Sequence, residues 1–298
     1  MLPRAELHVH LDGSVEPETL LEIDSSLTRE EIAARMTYTD FAGFIQSFIW
    51  VNQRLKTPGD YARVARKLFA RLETEGVVYA EVILSAGVIL WKQCAFAPIY
   101  DALVREAARS GVKVRWILDA IRQFGPEPAK PVFDLAAERV NDGVVAIGIG
   151  GDEVRGPALL FRDLFREAKD RGLRLTCHAG EVAGPQSVWD ALEIGAERIG
   201  HGIRSVDDPS LVRHLAAKKI PLEICITSNL RTGAVATLSE HPVRRLYDAG
   251  VPILLNTDDP AMFECTLTGE YALAAREFGF NDDELAGIAA NSLAYAFE

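Results

Sequence analysis

The amino-acid sequence predicts an α/β protein whose fold is a (β/α)8 TIM barrel. Short apolar runs rich in β-branched residues alternate with helical patterns eight times along 298 residues, which is the plan of such a barrel. The first run ends in His-Val-His, at the place where a doubly wound open sheet normally carries a glycine-rich phosphate loop. Together these two observations favour the barrel over the open sheet.

The predicted strands are mostly near-continuous apolar runs, a pattern typical of parallel strands that are buried on both faces. Side chains alternate between faces along the first strand, residues 6–10, so His8 and His10 point the same way. The fourth strand, residues 144–153, ends in two glycines and two acidic residues. The other predicted strands cover residues 77–84, 112–119, 173–177, 198–202, 220–226 and 251–257.

A helical insertion at about residues 14–75 is predicted after the first strand, within a single barrel domain that spans residues 1–298. Residues 61–75 place apolar side chains on one face at helical spacing. Residues 41–50 are rich in large apolar side chains, and this cluster either packs into the core or forms a lid over a pocket. Later helices are predicted near residues 99–110, 132–141, 158–171, 188–194, 209–219 and 242–250.

The composition excludes several classes of partner. A net charge of −11 argues against nucleic acid and against an anionic membrane surface, but it leaves uncharged nucleosides open. The sequence has no apolar run of about 18 residues and no secretory signal pattern, so neither a membrane span nor export is expected. Four widely spaced cysteines without a C-x-x-C pair are typical of reduced thiols. We therefore expect a cytoplasmic protein that acts on a small molecule.

Polar residues gather at the carboxyl ends of the predicted strands, where barrels of this kind carry their active sites. Four of the six histidines lie there, whereas His214 and His241 fall in or beside outer helices and are expected at the surface. The polar and glycine residues at the strand ends are His8, His10, Asp12, Gly151, Asp152, Glu153, His178, Glu181, His201, Ser228, Asn229, Asp258 and Asp259. Their joint occurrence predicts the position of the functional site.

Three of these imidazoles and one carboxylate suit a Zn²⁺ ion, which takes nitrogen and oxygen ligands. We expect His8, His10, His178 and Asp258 to bind it and to leave a position for water, whose pKa the metal would lower to roughly 7. Two-metal barrels often bridge their ions with a carboxylated lysine at the end of the fourth strand. Residues 150–153 contain no lysine, so one ion per chain is predicted.

Two further strand-end residues fit acid–base roles beside the metal. Glu181 follows His178 by three residues on the same loop, where it can act on a substrate without binding the ion. His201 is a candidate to orient the attacking water or to take its proton. The pattern as a whole indicates a TIM barrel of the metal-dependent hydrolase type.

Six ordered motifs resemble the adenosine deaminase family of the amidohydrolase superfamily, along nearly the whole chain. They are Glu-Leu-His-Val-His-Leu-Asp-Gly (6–13), Gly-Gly-Asp-Glu (150–153), His-Ala-Gly-Glu (178–181), Arg-Ile-Gly-His-Gly (198–202), Thr-Ser-Asn-Leu (227–230) and Asn-Thr-Asp-Asp-Pro (256–260). The resemblance implies the same four zinc ligands, namely His8, His10, His178 and Asp258.

The resemblance also implies a role for each of five further residues. Glu181 is similar to the glutamate that protonates purine N1, and His201 to the histidine that holds and deprotonates the water. Asp259 resembles the aspartate that bonds purine N7, and Gly151 the glycine whose backbone N–H bonds N3. Asp12 matches a residue near the ribose 5′-hydroxyl.

The reaction implied by the resemblance is zinc-dependent hydrolysis of adenosine to inosine and ammonia. Members of the family also act on free adenine or on 6-aminodeoxyfutalosine, a menaquinone precursor that bears a benzoate on its sugar. Asp12 favours a nucleoside with a polar 5′ side, whereas Arg231 could instead pair with a carboxylate. The sequence therefore leaves these substrates open.

Overall fold

The computed structural model of the protein describes residues 3–297 and contains an eight-stranded parallel barrel, which confirms the predicted fold. Neighbouring strands in the sheet follow chain order, and every pair is parallel. The strands are β1 (Arg4–His10), β2 (Val77–Leu84), β3 (Lys113–Ile121), β4 (Val144–Gly150), β5 (Arg174–Ala179), β6 (Arg198–His201), β7 (Leu222–Ile224) and β8 (Ile253–Leu255).

Helices surround the barrel and connect its strands. The α-helices are α1 (Pro17–Ile23), α2 (Arg29–Arg35), α3 (Phe41–Asn52), α4 (Pro58–Thr74), α5 (Ala86–Trp91), α6 (Phe96–Ala107), α7 (Pro126–Glu138), α8 (Arg162–Asp170), α9 (Pro185–Glu193), α10 (Pro209–Lys218), α11 (Ile226–Arg231), α12 (Val243–Asp248), α13 (Pro260–Phe263), α14 (Leu267–Phe278) and α15 (Asp282–Ala294). Short 3₁₀ helices cover Asp12–Ser14, Arg122–Phe124, Val140–Asp142, Ala158–Phe161, Ile203–Asp207 and Leu238–Glu240.

The barrel closes at the seam between the first and the last strand. The backbone N–H of His10 donates to the carbonyl of Asp258 at 2.7 Å, and the N–H of Asp258 donates to the carbonyl of His8 at 3.0 Å. All seven residues of β1 are buried, as expected for a strand that is covered on both faces. The seam therefore brings residues from the two ends of the chain into direct contact.

Several predicted helix starts differ from the observed ones, and side chains explain the start of α4 and that of α11, a helix that the sequence pattern did not predict. α4 begins at Pro58, three residues before the predicted start, because Thr57 and Asp60 form a reciprocal capping box there. α11 begins at Ile226, directly after β7, so Ser228 and Asn229 lie on a short helix and not in a strand-end loop. The Glu270 carboxylate of α14 accepts the N–H of Ile226 at 2.8 Å and holds the start of this helix.

The amino end of the barrel interior is filled by a buried ion-pair network. The fully buried Arg198 guanidinium donates to Glu81 and, at 2.6 Å, to Glu223. It also lies 3.6 Å from the centre of the Phe297 ring, which the chain inserts after α15. Each charge in this network has a partner, as a buried charge requires.

Helices α1 to α4 lie between β1 and β2, where the sequence predicts an insertion. The Tyr38 hydroxyl donates to the carbonyl of Met262 at 2.8 Å, and the rings of Phe44 and Phe263 lie 5.0 Å apart. α3 therefore packs onto the segment that follows β8. Within residues 3–297, no helix combines the length and the apolar character that are needed to cross a membrane. That the whole chain forms one domain stays a prediction.

Candidate active site

The four predicted metal ligands converge at the carboxyl end of the barrel. His10 Nε2 lies 3.2 Å from His178 Nε2 and 3.3 Å from Asp258 Oδ1, and His8 Nε2 lies 3.5 Å from the same oxygen. A tetrahedral Zn²⁺ with bonds of about 2.0–2.1 Å keeps its ligand atoms roughly 3.3 Å apart. His8 Nε2 is buried and lacks a hydrogen-bond partner among the described residues, which leaves it free to ligate. This donor set fits a metal ion.

The residues around this cluster orient its ligands. His8 Nδ1 donates to Glu223 at 2.7 Å, which directs the lone pair of Nε2 toward the cluster. The Ser228 hydroxyl donates to Asp258 Oδ2 at 2.6 Å. Burial by itself lowers the pKa of His8, but the carboxylates of Asp258 and Glu223 raise it to about 10. The pocket therefore attracts a cation, and a metal bound there takes the place of this proton.

Two residues of the site have strained backbones. His201 has a φ of +62° and Asp258 a φ of +67°, a left-handed conformation that is uncommon for residues other than glycine. Such strain is held by the surrounding structure and is frequent at functional sites. His201 is the last residue of β6, whereas Asp258 lies beyond the end of β8, where it forms a bridge with Val9 of β1.

Glu181 lies beside the cluster on the loop after β5. Its Oε2 is 3.6 Å from His201 Nε2. Burial, followed by the charges of Asp258 and Glu153, raises the pKa of Glu181 well above its usual range. This shift favours the protonated form of the carboxyl group, which is the form that can donate a proton.

Asp259 lies next to Asp258 in the segment after β8 and lines the same cavity as Glu181. Its carboxyl is buried, and Oδ1 has no hydrogen-bond partner among the described residues. Burial and the neighbouring Asp258 charge raise the pKa of Asp259 well above its usual range. Gly13 makes room for this carboxyl, since a Cβ at Gly13 would lie 1.7 Å from Asp259 Oδ1. The protonated form of Asp259 can donate a hydrogen bond.

Of the other two predicted substrate contacts, Gly151 lies in the cavity wall and Asp12 does not. Gly151 lines the cavity beside the cluster with a φ of +104°, and a Cβ there would lie 2.3 Å from Gln123 Oε1. Asp12 is fully buried, and its Oδ2 accepts the N–H of Ser85 at 3.0 Å. Ser85 lines the cavity, but Asp12 does not, so a contact between Asp12 and a sugar stays a prediction.

The cavity extends from the metal ligands to an apolar mouth beneath α3. Its walls include His10, Phe41, Phe44, Ile45, Phe48, Ile49, Ser85, Val88, Trp91, Asp119, Phe124, Gly151, His178, Glu181, His201, Asp258 and Asp259. Residues 41–50 thus belong to a core cluster and also line the cavity, since Phe44 packs against Phe263 and lies in the cavity wall with its neighbours; that they form a lid stays a prediction. A second and larger groove, of about 870 Å³, lies around the amino ends of β3 and β4 and contains no predicted site residue.

Sequence reasoning missed several residues that support the site. The expectation of a surface position is wrong for His241, which is 4% exposed and lies against Asn229 at 3.2 Å. The sequence identified Glu153 only as an acidic residue at the end of a strand. In the structure its carboxylate accepts the N–H groups of Gly180 and Glu181 at 2.7 and 2.9 Å. Its position directly after the fourth strand was the available signal.

The sequence also did not reveal the contacts of Glu223, Asp119 and Arg231. Glu223 lies inside a strand, where nothing in an apolar run marks it as the partner of a histidine. Asp119 lines the cavity with an unpartnered Oδ1, and burial raises its pKa to about 7. Arg231 donates to Glu264 at 3.2 Å and is not part of the cavity wall.

A barrel with a buried histidine and carboxylate cluster at its strand ends defines the class of metal-dependent amidohydrolases. A family model described as adenosine deaminase matches residues 3–298, and the chain belongs to that family. It is therefore a hydrolytic deaminase that acts on C–N bonds.

Three named relatives cover 99% of the chain and differ in substrate. An aminodeoxyfutalosine deaminase from Streptomyces avermitilis is 41% identical, with 87% of its own length covered. An adenosine deaminase from Serratia proteamaculans is 36% identical (94% covered), and an adenine deaminase from Rhizobium leguminosarum bv. trifolii is 34% identical (95% covered). The family is thus established, but these relatives support three different substrates.

Solved structures agree with this assignment. An adenine deaminase from Arthrobacter aurescens superimposes with a TM-score of 0.93 at 28% identity, covering 100% of this chain and 94% of that one. An amidohydrolase from Burkholderia ambifaria with bound Zn has a TM-score of 0.92 at 27% identity, with 100% and 86% covered. The convergent ligand atoms of this chain and the bound metal of that neighbour both point to a metal site.

Proposed function

We propose that the protein is a zinc-dependent deaminase of 6-aminopurine nucleosides, with one Zn²⁺ per chain held by His8, His10, His178 and Asp258. The convergence of these four ligand atoms beside the buried Glu181 carboxyl carries the proposal. Bound Zn²⁺ acts as a Lewis acid and lowers the pKa of water to roughly 7, so that a nucleophile is available at neutral pH.

The residues around the metal site divide the remaining chemistry. Glu181 donates its proton to purine N1, which makes C6 a better electrophile and lets the ring accept charge in the transition state. Asp259, whose raised pKa keeps it protonated, donates a hydrogen bond to N7, and the N–H of Gly151 donates to N3. A C6–O bond forms and the C6–N bond breaks, so the products are a 6-oxopurine and ammonia.

Among the nucleosides, we infer that the preferred substrate bears an aromatic ring at its 5′ side, as the benzoate of 6-aminodeoxyfutalosine provides. The wall beyond the metal site is mostly apolar, with side chains from α3 and α5, while Asn52, Ser85 and Gln123 are its polar members and Asp12 is not part of it. Trp91 and Phe124 at its mouth remain 51% and 46% exposed. Large exposed apolar side chains around a cavity are typical of a ligand-binding surface. The 41% identity to an aminodeoxyfutalosine deaminase supports the same inference.

Adenosine is the second candidate, because Asp12 lies directly behind Ser85 and matches the residue near the 5′-hydroxyl in the family motif. The two candidates make opposite demands on the cavity. A free 5′-hydroxyl needs a polar wall, whereas an aryl group gains about 0.5–1.5 kcal/mol from each aromatic contact beyond the area that it buries.

The test measures kcat/KM of the zinc-loaded protein on adenosine, adenine and 6-aminodeoxyfutalosine, with ammonia release and purine absorbance as readouts. We expect 6-aminodeoxyfutalosine to exceed adenosine by at least about tenfold, which corresponds to one aromatic contact. Trp91→Ala should remove about tenfold for the larger substrate only. Val154→Ala, at an exposed valine outside the cavity, is the control. A higher kcat/KM on adenine or adenosine would contradict the inferred preference, and the absence of ammonia from all three would contradict the proposed function.

A further inference from the structure

His201 is the inner end of a buried chain of hydrogen bonds that leads away from the metal ligands. Its Nδ1 lies 3.1 Å from Asn229 Nδ2, and Asn229 Oδ1 lies 3.2 Å from His241 Nε2. The backbone N–H of Val243 donates to His241 Nδ1 at 3.2 Å. His201, Asn229 and His241 are all at most 4% exposed. We call these three residues the relay.

The direction of every hydrogen bond in the relay is fixed from its outer end. A backbone N–H can only donate, so the Nδ1 of His241 accepts and carries no proton. Burial lowers the pKa of His241 to about 4, so the ring is neutral at physiological pH and its single proton lies on Nε2. That N–H donates to Asn229 Oδ1.

The orientation of the Asn229 amide follows from this. With Oδ1 engaged by His241, the amide NH₂ faces His201 and donates to its Nδ1. A rotated amide would place its NH₂ against the N–H of His241, two donors without an acceptor, in a site closed to water. The Nδ1 of His201 is therefore an acceptor, and the proton of the neutral ring lies on Nε2.

The surroundings of His201 Nε2 agree with this assignment. Glu181 Oε2 lies 3.6 Å from it, and Asp258 Oδ2 lies 3.9 Å from it. The negative charge of Asp258 on the open side of this ring nitrogen suits an N–H and would repel a lone pair. The contact of Nδ1 with Asn229 fixes the tautomer, and the position of Asp258 agrees with it.

We propose that Asn229 and His241 are positioning residues that hold His201 in the Nε2–H tautomer, so that His201 offers a hydrogen-bond donor to the attacking oxygen. This proposal rests on the proposed function. In this tautomer His201 Nε2 is a donor and does not take the proton of the attacking water; a metal at the site would lower the pKa of that water to roughly 7, so its proton would pass to solvent before the C6–O bond forms.

The direct test is ¹⁵N NMR of the full chain labelled at histidine, recorded with and without Zn²⁺. Long-range ¹H–¹⁵N correlations distinguish a protonated ring nitrogen from a bare one, and His201→Gln assigns the signal. We expect His201 and His241 both to show a protonated Nε2 and a bare Nδ1. A protonated Nδ1 on His201 in the wild-type protein would overturn the proposal whether or not any purine is deaminated.

Asn229→Asp provides the decisive variant, because a carboxylate of the same size accepts from both rings. His201 must then carry its proton on Nδ1 and present a bare Nε2 to the site. We expect kcat to fall on the order of 10²–10⁴-fold, as a wrong histidine tautomer costs in hydrolytic triads, while KM changes little. Asn141→Asp, at an exposed asparagine, is the matched control.

His241 supplies a second and independent variant. His241→Leu removes the donor that orients the Asn229 amide, and kcat should fall. His241→Gln returns an amide N–H to that position, and most of the lost kcat should return with it. Wild-type kcat and an unchanged His201 tautomer in both Asn229→Asp and His241→Leu would refute the relay, and metal content and melting temperature show whether the variants are folded.

Discussion

At the scale of single residues, His8 shows what a local pattern can and cannot predict. Strand alternation is local, so His8 and His10 were correctly expected on one face of β1. The partner of His8 Nδ1 is Glu223, which lies 215 residues away in sequence. No local pattern predicts a contact at that distance, because it depends on closure of the barrel, which brings Glu223 of β7 and His8 of β1 together in its interior.

Glu223→Gln should weaken metal binding by about 10- to 100-fold, the usual cost of losing the group that orients a ligand. The amide keeps the volume of the side chain but removes the charge that holds the His8 Nδ1 proton. Competition with a chromophoric chelator measures the affinity.

Glu197→Gln is the matched control for this change, since Glu197 pairs with Arg174 at the surface. A metal affinity for Glu223→Gln equal to that of the wild type would show that Glu223 serves the ion-pair network with Arg198 alone.

At the scale of elements, the loop after β5 depends on Glu153, which lies in the loop after β4. The Glu153 carboxylate accepts the N–H groups of Gly180, Glu181 and Val182 at 2.7, 2.9 and 2.9 Å. The Ser187 hydroxyl donates to the same carboxylate at 2.6 Å. The backbone at Glu181 is therefore fixed by Glu153, so the position of its side chain does not depend on a bound substrate.

Glu153→Gln should lower kcat by about 10- to 100-fold, because a shift of the proton donor by an ångström costs up to about 10²-fold. Glutamine offers one acceptor oxygen and turns its NH₂ toward the backbone donors. Steady-state kinetics on the best substrate measure the loss, and the metal content should stay that of the wild type.

The neighbouring Asp152→Asn is the control, because Asp152 accepts from Val154 and Arg155 and not from the loop that carries Glu181. If kcat of Glu153→Gln matched that of this control, the loop would have to be held by other contacts.

α3 shows the limit of periodicity as a signal. Its apolar residues lie on both sides of the helix, with Phe44 buried and Ile49 at the cavity. A helix that is apolar over most of its surface does not reveal which side faces a pocket, since core and cavity wall use the same residue types. The sequence could therefore predict the cluster but not choose between its two roles.

At the scale of the whole molecule, the barrel was predictable because eight parallel strands buried on both faces leave eight apolar runs in the sequence. The boundaries of the strands were less predictable than their number: β7 and β8 have three residues each, where seven were predicted. Residues that follow these two short strands, such as Ser228 and Asp258, still reach the site. Prediction of the site succeeded for residues at strand ends and failed for buried partners such as His241.

The stability of the molecule should depend on pH through Glu270, whose carboxyl holds the start of α11. Burial raises the pKa of Glu270 to about 7 from a usual value of 4.5. Between these values the folded protein keeps a proton that the unfolded chain releases, so the free energy of unfolding falls as pH rises from 4.5 to 7. The fall attributable to this one group is on the order of 3 kcal/mol.

Glu270→Gln should remove that slope, because the amide stands in for the protonated carboxyl at every pH. Denaturant unfolding of both proteins between pH 5 and 8 measures the difference, and Glu240→Gln, at an exposed glutamate, is the control. Parallel curves for wild type and Glu270→Gln would mean that Glu270 is already ionised in the folded protein at pH 5.

The seam between β1 and the end of β8 has a consequence for how the protein is made. His8 and His10 leave the ribosome early, but the bridge from Val9 to Asp258 cannot form until synthesis has passed Asp258. A nascent chain halted before that point lacks one member of the proposed ligand set. Tight metal binding at this site would thus begin only after the segment that follows β8 has been made.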